Sequence, residues 1–194
     1  GLAFHELPGA GAGGFWLERV HRSSAPIELG ASLTIDTGAV VKFSGTYSYV
    51  NVYGNLTASG TALAPVIFTS VNDGEGRTPA AGNWDSITIV SGGTASFDHV
   101  EMRYGDGDHD ANTEFGMIDA DPGSNLSVTN SLFQYSAHTA IGSHSDAPVI
   151  TGNTISDCSE YGIYIYDADN TAPVSPEIRD NVINNTVYPM YIYT

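Results

Sequence analysis

Two aspartates that flank a single alanine are the residues of this sequence best suited to chemistry. Asp119 and Asp121 lie in the alternating stretch GMIDAD, so a strand here directs both carboxylates to one face, roughly 6–7 Å apart. Glycosidases use two carboxylates at about that separation, one as an acid and the other as a base or nucleophile. His144 follows 23 residues after Asp121 and is expected beside it. The three residues form a candidate catalytic group, with a solvated polar face as the alternative.

Tyrosines at every second position mark a second candidate site. The stretches GIYIY and MYIY place Tyr164, Tyr166, Tyr191 and Tyr193 on one strand face. Rings stacked between neighbouring strands stabilise a sheet by roughly 0.5–1 kcal/mol per pair. Alternatively, the rings are a ligand platform, because ring faces accept the C–H faces of sugars and the hydroxyls form hydrogen bonds. Packing against another chain is a third interpretation.

The loop YGDGDHDANTE carries oxygen ligands at alternate positions. Asp106, Asp108 and Asp110 are separated by single residues, and Glu114 follows. Ca²⁺ is bound by hard oxygen ligands in loops of this kind, although the EF-hand formula is not met here. The loop is therefore a candidate calcium site, with a solvated acidic loop as the alternative, and calcium is the one cofactor to consider.

Charge narrows the set of partners. The chain has 194 residues, with 22 acidic residues against 6 basic ones, for a formal net charge of -16. Phosphates would be repelled, which argues against nucleic acid and anionic membranes. No apolar run approaches the roughly 20 residues of a membrane helix. Cys158 is the only cysteine, so a disulfide within the chain is excluded, and a small buried side chain is the simplest interpretation.

The sequence repeats with a period of about 23 residues, most clearly in its second half. Each repeat begins with an alternating pair of small or apolar residues, at Ile27 and Leu29, Val50 and Val52, Ile87 and Ile89, Ile118 and Ala120, Ile141 and Ser143, and Ile163 and Ile165. The two longer separations contain the Gly- and Asp-rich loops 71–83 and 105–114. Two further short apolar runs follow in each repeat. The pattern predicts an all-β solenoid with three short strands per coil, about six full coils and the start of a seventh.

Asparagines recur between the second and third runs, at Asn130, Asn153 and Asn181, and His99 takes their place one repeat earlier. Stacked asparagines at a bend satisfy backbone groups and bond to one another, which predicts a ladder.

A resemblance follows from these motifs. The segment LTIDTGAVVKFSG…VNVYGNLTASGTALAPVIFTS…GNWDSITIV…ASFDHVEMRYG is similar to the right-handed parallel β-helix repeats of the pectin-lyase-like superfamily, in the form found in large secreted or surface-attached bacterial proteins. The match covers roughly residues 25–194. It implies a right-handed coil and an extracellular or cell-surface location. It does not imply one reaction, because the superfamily contains lyases, hydrolases, adhesins and stalks.

The resemblance also implies what an enzyme of this fold would carry. In the hydrolases acting on pectin, acids and a histidine lie on the strand-one face, where this chain has Asp119, Asp121 and His144. Their Arg-x-Lys is missing here, and Lys42 is the only lysine. The lyases need a cationic base, and no arginine clearly lies on that face. The comparison favours a non-catalytic role.

Residues 1–24 differ from the repeats and are expected to cap the core, while residues 25–194 form the β-helix and are expected to continue beyond the last residue. Three classes of function remain. The first is a non-catalytic extracellular module, either a stalk or a domain that binds polysaccharide or a protein surface. The second is a polysaccharide lyase or glycoside hydrolase. The third is a structural unit that associates end to end.

Overall fold

The computed structural model describes residues 4–6, 15–17, 24–105, 116–167 and 174–193. Within these ranges the regular structure is strand, and no helix long and apolar enough to cross a membrane is found there. The strands are β1 (Phe4–Glu6), β2 (Phe15–Leu17), β3 (Ser24–Ile27), β4 (Ser32–Ile35), β5 (Val40–Phe43), β6 (Tyr49–Val52), β7 (Asn55–Ser59), β8 (Val66–Ser70), β9 (Ile87–Ile89), β10 (Thr94–Asp98), β11 (Val100–Arg103), β12 (Gly116–Ala120), β13 (Asn125–Thr129), β14 (Leu132–Gln134), β15 (Thr139–Ser143), β16 (Val149–Thr151), β17 (Thr154–Tyr166), β18 (Glu177–Arg179) and β19 (Val182–Tyr193).

The strands stack in parallel, each on the equivalent strand of the next repeat. One six-stranded sheet has the order β4-β7-β10-β13-β16-β18, which is the second run of each repeat. The first runs stack as β3-β6-β9-β12-β15-β17 and the third runs as β5-β8-β11-β14-β17. The prediction of an all-β parallel solenoid with three strands per coil is therefore confirmed. We call these stacks the strand-one, strand-two and strand-three sheets.

The corner between the strand-three and strand-one sheets changes along the solenoid. In the middle repeats it contains long connections, since β8 ends at Ser70 and β9 begins at Ile87. In the last repeats β17 and β19 run through the corner without interruption, and each belongs to both sheets. A bulge between Cys158 and Tyr161 accommodates the turn.

The core lies between the three sheets and is filled by the inward-facing side chains of each. Ile87, Ile118, Ile141 and Ile163 are all fully buried and pair in register through the strand-one sheet. Alternation turns their neighbours outward, which is how this sheet acquires a polar and aromatic outer face.

Trp84 closes the core at the end of the loop 71–83. Its indole stacks on Phe43 with ring centroids 4.4 Å apart, and Nε1 donates to the carbonyl of Arg103 at 2.7 Å. The buried ring thus keeps its polar atom satisfied.

Left-handed backbone forms the bend between the strand-two and strand-three sheets. His99, Asn130, Gly152 and Asp180 all have positive φ, at 51°, 51°, 70° and 58°. Asparagine and aspartate tolerate this conformation better than most residues, and glycine adopts it without steric cost.

The asparagine ladder lies one residue after these bends and is shorter than predicted. The backbone N–H of Ser131 donates to Asn153 Oδ1, and that of Asn153 donates to Asn181 Oδ1, both at 2.9 Å. The prediction that Asn130 belongs to the ladder is wrong, because Asn130 occupies the left-handed position and Ser131 takes the ladder position.

Near the start of the chain, β1 and β2 form an antiparallel pair, and β2 lies against β5. The capping role of residues 1–24 stays a prediction.

Candidate functional site

The outer face of the strand-one sheet carries the sequence-predicted residues in the predicted order. Asp119 pairs with Gly142, Gly142 with Tyr164, and Tyr164 with Tyr191. Ile118 and Ala120 belong to the core, so Asp119 points outward. The first repeat is the exception to the predicted register. The sequence pattern predicted that Ile27 pairs with Val50, whereas Ile27 pairs with Val52, so the register differs by two residues. Ile27 is the last residue of β3.

Asp119 points outward but is fully buried, at 0% exposure. Neither carboxylate oxygen has a hydrogen-bond partner of good geometry. Burial raises the pKa of this carboxyl to about 8, the negative charge of Asp121 adds to the effect, and the backbone N–H of Ala120 offsets a small part of it. Asp119 is therefore mostly protonated at neutral pH. This burial differs from the solvated polar face that was the alternative interpretation, and a catalytic role of Asp119 stays a prediction.

Asp121 differs from its neighbour because it is only partly buried. Burial raises its pKa, while the positive charge of His144 and a backbone hydrogen bond from Ser91 counteract the increase. The backbone N–H of His144 donates to the carbonyl of Ala120 at 2.7 Å, which fixes the histidine one strand away. The carboxyl of Asp119 thus binds its proton more tightly than the carboxyl of Asp121, and Asp119 is the one without exposed surface.

The tyrosines form one aromatic cluster with His144. Its members are His144, Tyr161, Tyr164, Tyr166, Tyr188, Tyr191 and Tyr193. Tyr164 stacks on Tyr191 with centroids 5.2 Å apart and planes 9° from parallel, and Tyr166 stacks on Tyr193 at 5.3 Å. The edge of His144 meets Tyr166 at 5.6 Å. The predicted vertical stacking is confirmed.

Exposure divides the aromatic cluster into buried and accessible rings. Tyr164 is only 5% exposed, whereas Tyr191 and Tyr193, on the last strand that the structure describes, are 41% and 47% exposed, as are their core-side neighbours Met190 and Ile192 at 39% and 46%. Stacking occupies the ring faces that point along the solenoid. Ring edges and hydroxyls are therefore an important part of the surface offered to a ligand.

Two members of the aromatic cluster could not be identified by alternation. Tyr161 stacks on Tyr188 at 5.0 Å and lies 5.1 Å from Tyr164. Strict alternation places Tyr161 on the same face as Ile163, inside the core. Tyr161 lies where β17 turns from the strand-three sheet into the strand-one sheet, so strict alternation does not hold there, and the sequence signal was only the odd spacing of Tyr161 from Tyr164.

The candidate calcium ligands Asp106, Asp108, Asp110 and Glu114 lie outside the described residues. Within the part of the chain that the structure describes, no group of three histidines, cysteines or carboxylates is arranged to hold a metal ion. A calcium site in the acidic loop stays a prediction.

Three basic side chains outside the strand-one face contact carboxylate or carbonyl oxygens of the fold. Arg103 lies 3.1 Å from Asp73, Lys42 donates to the carbonyl of Asp73, and Arg179 lies 2.7 Å from Glu177.

The single cysteine is expected to be chemically inert in the folded protein. Cys158 is 3% exposed, and burial raises the pKa of its thiol to about 11, partly offset by a backbone hydrogen bond from Ser136. We expect no labelling by iodoacetamide at pH 8 under native conditions and complete labelling in urea, as read by intact mass. Rapid native labelling would show that the corner of β17 opens.

Comparison with known proteins gives one match. A family model described as a right-handed beta helix region matches residues 80–194, which is more than half of the chain and includes the whole aromatic cluster. No curated protein and no solved structure matches the sequence.

Proposed function

The chain belongs to the right-handed β-helix family, and on that premise we propose that it is a non-catalytic module that binds neutral polysaccharide on the outer face of its strand-one sheet. The observation that carries this proposal is the aromatic cluster. Tyr166, Tyr191 and Tyr193 present phenol groups side by side on a parallel sheet, in a constellation pre-formed by stacking. Rigid aromatic side chains bind a ligand at a low entropic cost.

The composition of the face favours neutral sugars. Asp121 and the formal net charge of -16 disfavour uronate chains, whose carboxylates would meet like charge without compensation. His144 and the tyrosine hydroxyls supply hydrogen-bonding groups beside apolar ring surface, the combination that a pyranose with its polar rim and C–H face requires. Polysaccharides of this kind are met outside the cell, which agrees with the proposed extracellular or cell-surface location.

Removing the accessible rings tests the proposal. We expect the double substitution of Tyr166→Ala and Tyr193→Ala to abolish retention on insoluble cellulose, xylan or chitin, whichever retains the parent protein. Tyr53→Ala is the matched control, because Tyr53 is 38% exposed and directly follows β6 of the same sheet but lies outside the cluster. Co-sedimentation with and without Ca²⁺ measures binding and shows whether the acidic loop contributes. Retention of the double variant at the level of Tyr53→Ala would contradict the proposal, as would a parent protein that none of the polysaccharides retains.

A hydrolase is the second candidate, and one observation favours it. The pKa of Asp119 is raised to about 8 beside Asp121, and paired carboxyls with unequal pKa values are how glycosidases separate acid from base. Against it stands the complete burial of Asp119. Oligosaccharides released from the same panel, detected by mass spectrometry and absent with Asp121→Asn, would establish this function and overturn the non-catalytic one.

A further inference from the structure

A groove opens on a different side of the solenoid, at the bend between the strand-two and strand-three sheets. Its volume is about 370 Å³, within the range of small-molecule sites. It is lined by the turn around Thr61 and Pro65 and by the three stacked segments 99–101, 130–132 and 152–154. These belong to four successive repeats, so the groove runs along the solenoid axis for about 14 Å.

One end of the groove is closed by a tight turn that is fixed to the scaffold. Thr61 and Ala64 exchange two backbone hydrogen bonds of 3.1 Å. The N–H of Gly60 donates to the carbonyl of Asp98 at 2.8 Å, and a Cβ at Gly60 would lie 2.3 Å from the carbonyl of His99. The absence of a side chain at Gly60 thus lets the turn seat directly against the bend. The closed end of the groove is therefore fixed by backbone contacts of the fold.

His99 enters the groove with its orientation set by Asp98. The Nδ1 atom of His99 lies 3.1 Å from Asp98 Oδ2, while Thr129 Oγ1 and Asn130 Nδ2 both donate to Asp98 Oδ1 at 2.8 Å. Burial alone would raise the pKa of Asp98, but these hydrogen bonds and the histidine lower it below its ordinary value. Because Nδ1 faces Asp98, Nε2 is the ring nitrogen of His99 that a ligand can reach.

Other lining groups also present acceptors. With Nδ2 of Asn130 donated to Asp98, its Oδ1 remains as the acceptor of that amide. Gly152 keeps the approach to this oxygen open, since a Cβ there would lie 3.0 Å from Asn130 Oδ1. Glu101 contributes a carboxylate on the strand-three side.

Charge and shape together identify the class of ligand. The acceptors call for a ligand rich in hydrogen-bond donors, and hydroxyl groups or ammonium groups meet that requirement. Both carboxylates already have partners in the fold, which lowers their attraction for a cation: Asp98 accepts hydrogen bonds from Thr129 and Asn130, and Glu101 lies 3.7 Å from Arg103. The partly exposed side chains of Pro65 and Leu132 add apolar surface to the groove. Neutral hydroxyl groups around an apolar ring fit this surface better than an ammonium does.

We propose that this groove is a second, independent binding site that takes a neutral sugar unit, with His99, Glu101 and Asn130 accepting hydrogen bonds from its hydroxyl groups. The site shares no residue with the aromatic cluster. It can therefore exist whether or not the strand-one face binds polysaccharide.

Residue-resolved titration of the full chain tests the groove. Cellobiose, xylobiose and lactose are added to the ¹⁵N-labelled protein, and we expect one or more to shift the backbone amides of His99, Val100, Ser131 and Gly152. His99→Asn retains a residue that tolerates the left-handed bend, and Glu101→Gln retains the shape of the side chain. Each is expected to weaken binding about tenfold, because a hydrogen bond in the groove is lost or loses its charge. Glu160→Gln, a partly buried glutamate outside the groove, is expected to have no effect.

The outcomes separate this proposal from the first. Shifts confined to the aromatic cluster would overturn the groove site and support the strand-one face. Shifts in the groove that persist unchanged in both variants would overturn the assigned acceptors. Shifts caused by spermidine but by none of the sugars would replace the sugar with a cationic ligand. No shift at the highest soluble concentration of any sugar would reject the site.

Discussion

Replacing Asp119 with asparagine is expected to raise the free energy of unfolding at pH 9 by about 5 kcal/mol and to leave it almost unchanged at pH 4. The pKa of this carboxyl rises from an ordinary value of 3.8 to about 8 in the folded protein. Between these values the folded chain holds a proton that the unfolded chain has released. Stability is therefore fully present below about pH 4 and is lost progressively as the pH rises to about 8. Asparagine cannot ionise and removes this loss.

Urea unfolding of both proteins between pH 4 and pH 9 measures the effect, and the difference between the two curves cancels contributions from other groups. Asp36→Asn is the control, because Asp36 is exposed. A constant difference across the pH range would show that Asp119 does not carry the buried proton.

Asn153→Ala is expected to destabilise the fold by about 3 kcal/mol at any pH near neutrality. The Asn153 side chain accepts from the N–H of Ser131 at 2.9 Å and donates to the carbonyl of Val128 and to Asn181 Oδ1, both at 3.0 Å. Alanine leaves two backbone groups of the preceding repeat, the N–H of Ser131 and the carbonyl of Val128, without this partner, and unpaired buried groups are costly.

The matched control for the ladder is Asn130→Gly. Glycine satisfies the left-handed bend at position 130, and Asn130 is exposed, so the expected change stays within about 1 kcal/mol. Chemical denaturation of the two variants gives both values. Equal losses in the two variants would mean that the bend, and not the ladder, limits stability.

Most of the fold could be predicted from the sequence because the same apolar pattern recurs in successive repeats. Ile87, Ile118, Ile141 and Ile163 recur at matching points of successive repeats, so the strand-one register could be predicted across most of the chain. That register also placed Asp119 and Tyr164 correctly on the outer face. Alternation assigns a side chain to a face but does not say what covers that face, which is why the burial of Asp119 could not be foreseen.

Departures from regular geometry explain the other differences. The corner of β17 places Tyr161, which alternation assigns to the core, in the aromatic cluster. A one-residue offset at the bend moved the ladder from Asn130 to Ser131. The groove depends on the turn at Thr61–Ala64, whose position against His99 follows from tertiary contacts between repeats. The sequence of a single repeat does not contain this information.

The corner between the strand-three and strand-one sheets has a consequence for how proteins of this architecture diversify. Two middle repeats open there into long connections, with β8 ending at Ser70 and β11 at Arg103, while β17 passes through unbroken. All of these repeats nevertheless keep the same strand pairing on either side. Foreign peptide grafted between Cys158 and Tyr161 would therefore leave the pairing partners of β17 in place. Evolution and protein engineering can treat this corner as an attachment point, where a lineage gains new loops without rebuilding its core.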